Sequence, residues 1–127
     1  MADSQIKSYR DLRVWQQGME IAEACYLLTR SLPKEEMYGM ISQIRRSAAS
    51  VPANVAEGYG REYRGEYIHF LRIAQGSLKE LETHLLLAAR VELTTTQTDS
   101  GIRRWLKIRA WCRWCRRRRL GKSRWLR

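Results

Sequence analysis

The chain has 127 residues, 24 Lys and Arg against 13 Asp and Glu, and a formal net charge of +11. That length fits one domain, and 44% hydrophobic residues excludes wholesale disorder. No run approaches the roughly 18–20 apolar residues of a membrane span, and the first residues, MADSQIKSYRDL, lack a secretory h-region, so no membrane partner and a cytoplasmic location are expected.

The first helical segment is predicted over residues 9–30, with Asp11 able to cap its start. Leu12, Trp15, Met19, Ala22 and Tyr26 form one apolar row, and Val14, Gly18, Ile21, Cys25 and Leu28 form an adjacent one. Two adjacent rows predict a wide buried face. Pro33 suits the first turn of the next helix, with Glu35 and Glu36 at the positive end of its dipole.

The second segment spans about Lys34 to Gly58, with Met37, Met40 or Ile41, Ile44, Ala48, Val51 and Val55 on its apolar side. Pro52 lies inside it, which predicts a kink or short break near Ser47–Val51. Gly58, Tyr59 and Gly60 supply the stop. The third segment, about Glu62 to Leu93, places Tyr67, Leu71, Ala74, Leu78, Leu81, Leu85 and Ala88 at strict heptad spacing, which marks bundle packing. Gly76 and Ser77 are read as small residues that admit a close neighbour.

Residues 94–101 read as a loop. Beyond it the composition changes abruptly. Residues 1–99 carry a net charge of −1, whereas residues 100–127 hold 12 basic residues, no acid and four of the five Trp. The basic character of the chain therefore belongs to its last 28 residues. Trp105, Ile108, Cys112 and Cys115 share a stripe there, so the segment reads as an atypical fourth helix or an aberrant tail. The expected fold is all-α: an antiparallel, up-and-down four-helix bundle whose body is residues 1–99, with 100–127 as a separate basic, Arg/Trp-rich segment.

Chemistry is sparse. Cys112 and Cys115 form a lone C-x-x-C pair without the four ligands zinc needs, so no metal and no cofactor are expected. His69 and His84 sit about 22 Å apart along one helix, and Glu80 and Glu82 face different sides, so no acid–base pair is identified and the chain is not read as an enzyme. Gln43, Arg46, Ser50, Asn54 and Glu57, spaced 3, 4, 4 and 3, align on one face of the second helix. The plainer reading is a solvated face. The functional one is a polar network packed between helices or subunits, whose short side chains satisfy backbone groups freed at Pro52.

The stretches Tyr38-Gly39-Met40, Gln43-Ile44-Arg45-Arg46-Ser47-Ala48 and Ser50-Val51-Pro52-Ala53-Asn54-Val55-Ala56-Glu57-Gly58-Tyr59-Gly60-Arg61 resemble the bacterial four-helix-bundle family, also called the rRNA intervening-sequence protein family. Asp11-Leu12-Arg13-Val14-Trp15-Gln16 and residues 70–82 fit the same pattern, so the resemblance covers about residues 8–93. It implies a four-helix bundle that assembles into a ring, a homopentamer, without known catalytic activity. It is also similar to the accessory protein of diversity-generating retroelements, which binds a reverse transcriptase and nucleic acid. The motif falls on Gln43, Arg45, Arg46, Ser50, Asn54, Glu57, Gly58 and Arg61, and on Ser77, Glu80 and Glu82 in the third helix. Candidate nucleic-acid contacts are Arg45, Arg46, Arg61, Arg64 and Arg72, with RNA or DNA as partner. The alternative is a purely structural or protein-interaction oligomer. The resemblance fails after Asp99, where family members continue with an acidic, amphipathic helix. Arg, Trp, Cys and Gly are what GC-rich DNA encodes out of frame. The hypothesis is a frameshift near residues 96–101, and a clean reading frame on resequencing the coding DNA would sink it.

Overall fold

The computed structural model describes residues 6–93. The expected loop at 94–101, the fourth helix and the Cys112/Cys115 pair lie outside the described residues. Those described form three helices and two short 3-10 turns, with no strand among them. We label the helices α1 (Arg13–Thr29), α2 (Met40–Tyr59) and α3 (Arg64–Arg90).

The entry into α1 differs from expectation. Residues Tyr9–Asp11 form a 3-10 turn, with a capping box in which Ser8 is the N-cap. The Asp11 carboxylate accepts from the amides of Lys7 and Ser8, both at 3.0 Å. Asp11 therefore closes the preceding turn, and α1 starts at Arg13 with no side-chain cap. Pro33 likewise precedes a 3-10 turn, Lys34–Glu36, and α2 begins only at Met40. Glu36 supplies the cap of α2: its carboxylate accepts from the Met40 amide at 3.1 Å, at the positive end of the helix dipole.

Helix α2 runs without interruption through Pro52, so of the expected kink or short break, the break is absent. Pro52 is buried against α1. A Cβ on Gly18 would stand 3.4 Å from both the Cα and the Cβ of Pro52. The side of α2 that lacks an N–H thus faces another helix at a point of close approach. The freed Ala48 carbonyl is not what the polar side chains take: Ser47 donates to the carbonyls of Gln43 (2.8 Å) and Ile44 (3.2 Å), and Asn54 to that of Ser50.

Gly58 is buried inside the last turn of α2. Its ideal Cβ would lie 2.6 Å from the Cβ of Phe70, so its role is to let α2 and α3 meet. Gly76 is the reverse of its reading, because nothing lies within 4 Å of the Cβ it lacks. At the end of α3, Glu92 adopts φ 58° and the Leu93 amide donates to the Ala88 carbonyl at 3.0 Å, a Schellman closure made without glycine.

α2 is the middle helix. It packs on both α1 and α3, whose Cα atoms do not come within 8 Å of each other. All seven residues of the α3 heptad row are buried. One apolar cluster joins Ile21, Ala22, Cys25 and Leu28 to Ile41, Ile44, Ala48 and Val51 and to Leu78, Leu81 and Leu85. A second joins Leu12, Val55, Tyr67, Leu71 and Ala74. Of the two α1 rows, the one containing Gly18, Ile21, Cys25 and Leu28 is the core row, whereas Met19 and Tyr26 are exposed (39% and 44%). No helix among the described residues is long and apolar enough to cross a membrane.

Candidate functional site

The polar residues of α2 do align, and α3 completes the group. Ser50 and Ser77 are both half-buried, and their hydroxyl oxygens lie 2.8 Å apart across the α2–α3 seam. The Asn54 amide donates to the Ser50 carbonyl at 2.7 Å and to its hydroxyl at 2.9 Å. With the Ser50 oxygen accepting from Asn54, its own proton is available to Ser77. Three short side chains therefore satisfy one another where two helices touch, each neutral bond contributing about 1 kcal/mol.

Charged residues flank this centre. Towards the start of α2, the Arg46 guanidinium donates to the Gln43 side-chain oxygen at 3.3 Å and stands 3.9 Å from Glu80. Glu80 lies 3.4 Å from Nε2 of His84, one turn on. Towards the other end, Arg61 pairs with Glu57 at 3.0 Å and lies over the Phe70 ring. Gln43, Arg46, Ser50, Asn54, Glu57, Ser77 and Glu80 thus form one stripe. Glu82 does not belong to it, since two residues at about 100° each place it on the far side of α3 from Glu80.

The five candidate nucleic-acid arginines are not equivalent. Arg45 is half-buried and engaged. Its Nε donates to the Thr29 hydroxyl at 2.8 Å, Thr29 donates to the Tyr26 carbonyl at 2.9 Å, and the guanidinium lies 5.0 Å from the Tyr26 ring centroid. That places a cation at the negative C-terminal end of α1. It is a helix-joining residue, a role its position beside Arg46 in the sequence did not reveal. Arg46, Arg61, Arg64 and Arg72 are exposed.

The heptad spacing places Tyr67 in the core and says nothing of its hydroxyl. The residue is 5% exposed, and its hydroxyl finds no hydrogen-bond partner among the described residues. Burial, and secondarily the neighbouring Tyr59, raise its pKa above the ordinary value near 10. Among the described residues no three His, Cys, Asp or Glu side chains gather into a metal-binding group.

A family model described as 23S rRNA-intervening sequence protein matches residues 10–109, reaching past the composition change at residue 100. A crystal structure from Bacteroides thetaiotaomicron VPI-5482, of a protein of unknown function in the S23 ribosomal protein family, superposes with a TM-score of 0.67 at 25% identity. The match covers 80% of this chain and 93% of that one. No curated protein matches. The motif residues, the helical architecture and the family match agree, and the chain belongs to the 23S rRNA-intervening sequence protein family.

Proposed function

We propose that this chain is a non-enzymatic, homo-oligomeric helical-bundle protein that associates with nucleic acid in the cytoplasm. The use made of the polar motif carries the reading: Ser50, Asn54 and Ser77 take up one another's hydrogen bonds at a helix–helix seam. These side chains join elements of structure. A ring of subunits, a homopentamer, is the assembly that the family resemblance implies. Within each subunit we infer an antiparallel four-helix bundle. One cluster unites the end of α1, the start of α2 and the end of α3, which favours alternating helix directions. The side of α1 and α3 away from α2 is where a fourth helix from beyond residue 99 would pack.

Association with nucleic acid is favoured by the exposed Arg46, Arg64 and Arg72. Filter binding of the full chain to a structured RNA between about 50 and 200 mM salt tests it. Affinity is expected to fall linearly on a log–log plot, and replacing Arg64 and Arg72 by Glu is expected to lower the slope by roughly 2. Retention that ignores salt, or no retention, contradicts phosphate contact. The second reading, an oligomer that engages only protein, is favoured by the carboxylates beside Arg46 and Arg61.

A further inference from the structure

We propose that the outward side of α3 is a binding face for the phosphate backbone of a double-stranded nucleic acid; the inference rests on the nucleic-acid reading above and names the surface and the form of its partner. Ordered at about 100° per residue, Arg72, Lys79 and Arg90 fall within roughly 20° of one another around α3, so they form one line. All three are exposed. The line runs about 27 Å along the helix, from Arg72 to Arg90. It lies on the opposite flank from Phe70, Ser77 and Glu80, which meet α2. Between it and the buried heptad runs the half-buried row Ile68, Gln75, Glu82 and Ala89. A helix packed against α1 and α3 would meet that row and leave the line outside.

Along this line cations stand without carboxylates. The ion pairs among the described residues involve Arg46, Arg61 and His84 and none of these three. Glu80 lies about 80–100° round the helix to one side, held by Arg46 and His84. Glu82 lies about 60–80° to the other side and is half-buried. Gly76 and Thr83, beside the line, are short, so the three long side chains stand clear of the ridge.

Charge selects among occupants. Residues 100–127 of this chain, with 12 basic residues and no acid, are repelled by such a line, and a second copy of a chain at net +11 offers no anionic excess. A polyanion does, and a basic stripe along a helix is the electrostatic footprint of a nucleic acid. Unpaired bases call for open rings to stack on. The rings of α3 are otherwise engaged: Tyr67 is in the buried heptad, Phe70 packs at Gly58, and His69 stands edge-to-face against Phe70. The line therefore suits the sugar–phosphate backbone of a duplex, met through charge and shape rather than through base edges.

The test is filter binding of the full chain between about 50 and 200 mM salt to a mixed-sequence RNA duplex, the same duplex as DNA, and one RNA strand alone. The α3 variant combines Lys79→Glu with Arg90→Glu; a control of equal charge change combines Arg13→Glu with Lys34→Glu, both exposed and on other elements. On a duplex, the α3 variant is expected to lower the log–log slope by roughly 2, so that salt weakens it on the order of 10-fold less than the parent across that range. On the single strand its slope is expected to match the parent's, and the control is expected to match the parent throughout. If the α3 variant loses its helical circular dichroism, Lys79→Gln with Arg90→Gln replaces it, with the same expectation. The expected fall on either duplex supports the face, and which duplex shows it names the sugar accepted. A duplex slope that the α3 variant leaves unchanged, or that the control lowers as far, overturns this face and leaves the nucleic-acid reading intact. An equal fall on the single strand overturns the assignment to a duplex. A parent that retains none of the probes overturns both readings.

Discussion

Two glycines inside helices should respond to alanine with opposite signs. At Gly76 a new Cβ meets nothing within 4 Å, so only helix propensity changes and Gly76→Ala should stabilise by about 1 kcal/mol. At Gly58 the new Cβ would stand 2.6 Å from the Cβ of Phe70 and 3.1 Å from the Tyr67 ring. Carbon atoms in contact prefer about 3.5–4.0 Å, and the Cβ of Phe70 moves only with its backbone. The two helices must therefore part by roughly 1 Å. Overpacking of this kind costs about 1–3 kcal/mol. The propensity gain offsets about 1 kcal/mol of that, leaving Gly58→Ala destabilised by up to about 2 kcal/mol. Urea denaturation at one fixed protein concentration separates the pair, because mass action would otherwise blur an oligomer's midpoint. Two variants that shift the midpoint in the same direction would refute the assignment of Gly58 to the close α2–α3 approach.

Three further outcomes follow from the contacts described. Ser50→Ala and Ser77→Ala should each destabilise by about 1 kcal/mol, and a double-mutant cycle should give a coupling of about 0.5–1.5 kcal/mol; additive effects would mean that the hydroxyls do not interact. Arg45→Ala should lower stability by about 1–2 kcal/mol in thermal unfolding, since it removes the bond to Thr29 and the Tyr26 contact, whereas Arg46→Ala, with a side chain 73% exposed, should stay within about 0.5 kcal/mol. Equal effects would place Arg45 at the surface with Arg46. Tyr67→Phe removes a buried hydroxyl without a partner and should hold or raise stability by about 1 kcal/mol. Because the folded protein holds the Tyr67 proton more tightly than the unfolded chain, the parent's stability should be complete below about pH 10 and decline as pH rises above it. The Phe variant should lack that part of the decline, and coincident profiles would count against a buried phenol.

What sequence reasoning reached, and what it did not, divides along a physical line. The α3 heptad and the Ile44–Ala48–Val51–Val55 row are all buried, because periodicity reports which side of a helix is apolar. Periodicity does not report which flank meets a neighbour. Met19 and Tyr26 share the spacing of the core row yet stay exposed, since the close backbone approach of α1 is to α2 and not to α3. Pro52 predicts a kink or a break because its local cost is visible in the sequence and its contact with Gly18, 34 residues away in the chain, is not. The same holds for Gly58 and Gly76: residue type was legible, and the neighbour across the seam was not. Within the candidate site, the alignment of Gln43, Arg46, Ser50, Asn54 and Glu57 was legible from spacing, and the pairing of Ser50 with Ser77 is the meeting that only the fold supplies. The sequence does not separate Arg45 from the surface arginines, because adjacent residues on a helix point about 100° apart and nothing in one sequence says which of two neighbours faces α1.

The measurement that bears most directly on the central claim is the native mass of the intact chain at micromolar concentration. The account predicts a single species at a whole multiple of 15.0 kDa, five copies for the ring that the family resemblance implies. A stable 15.0 kDa monomer from the unaltered chain would contradict it.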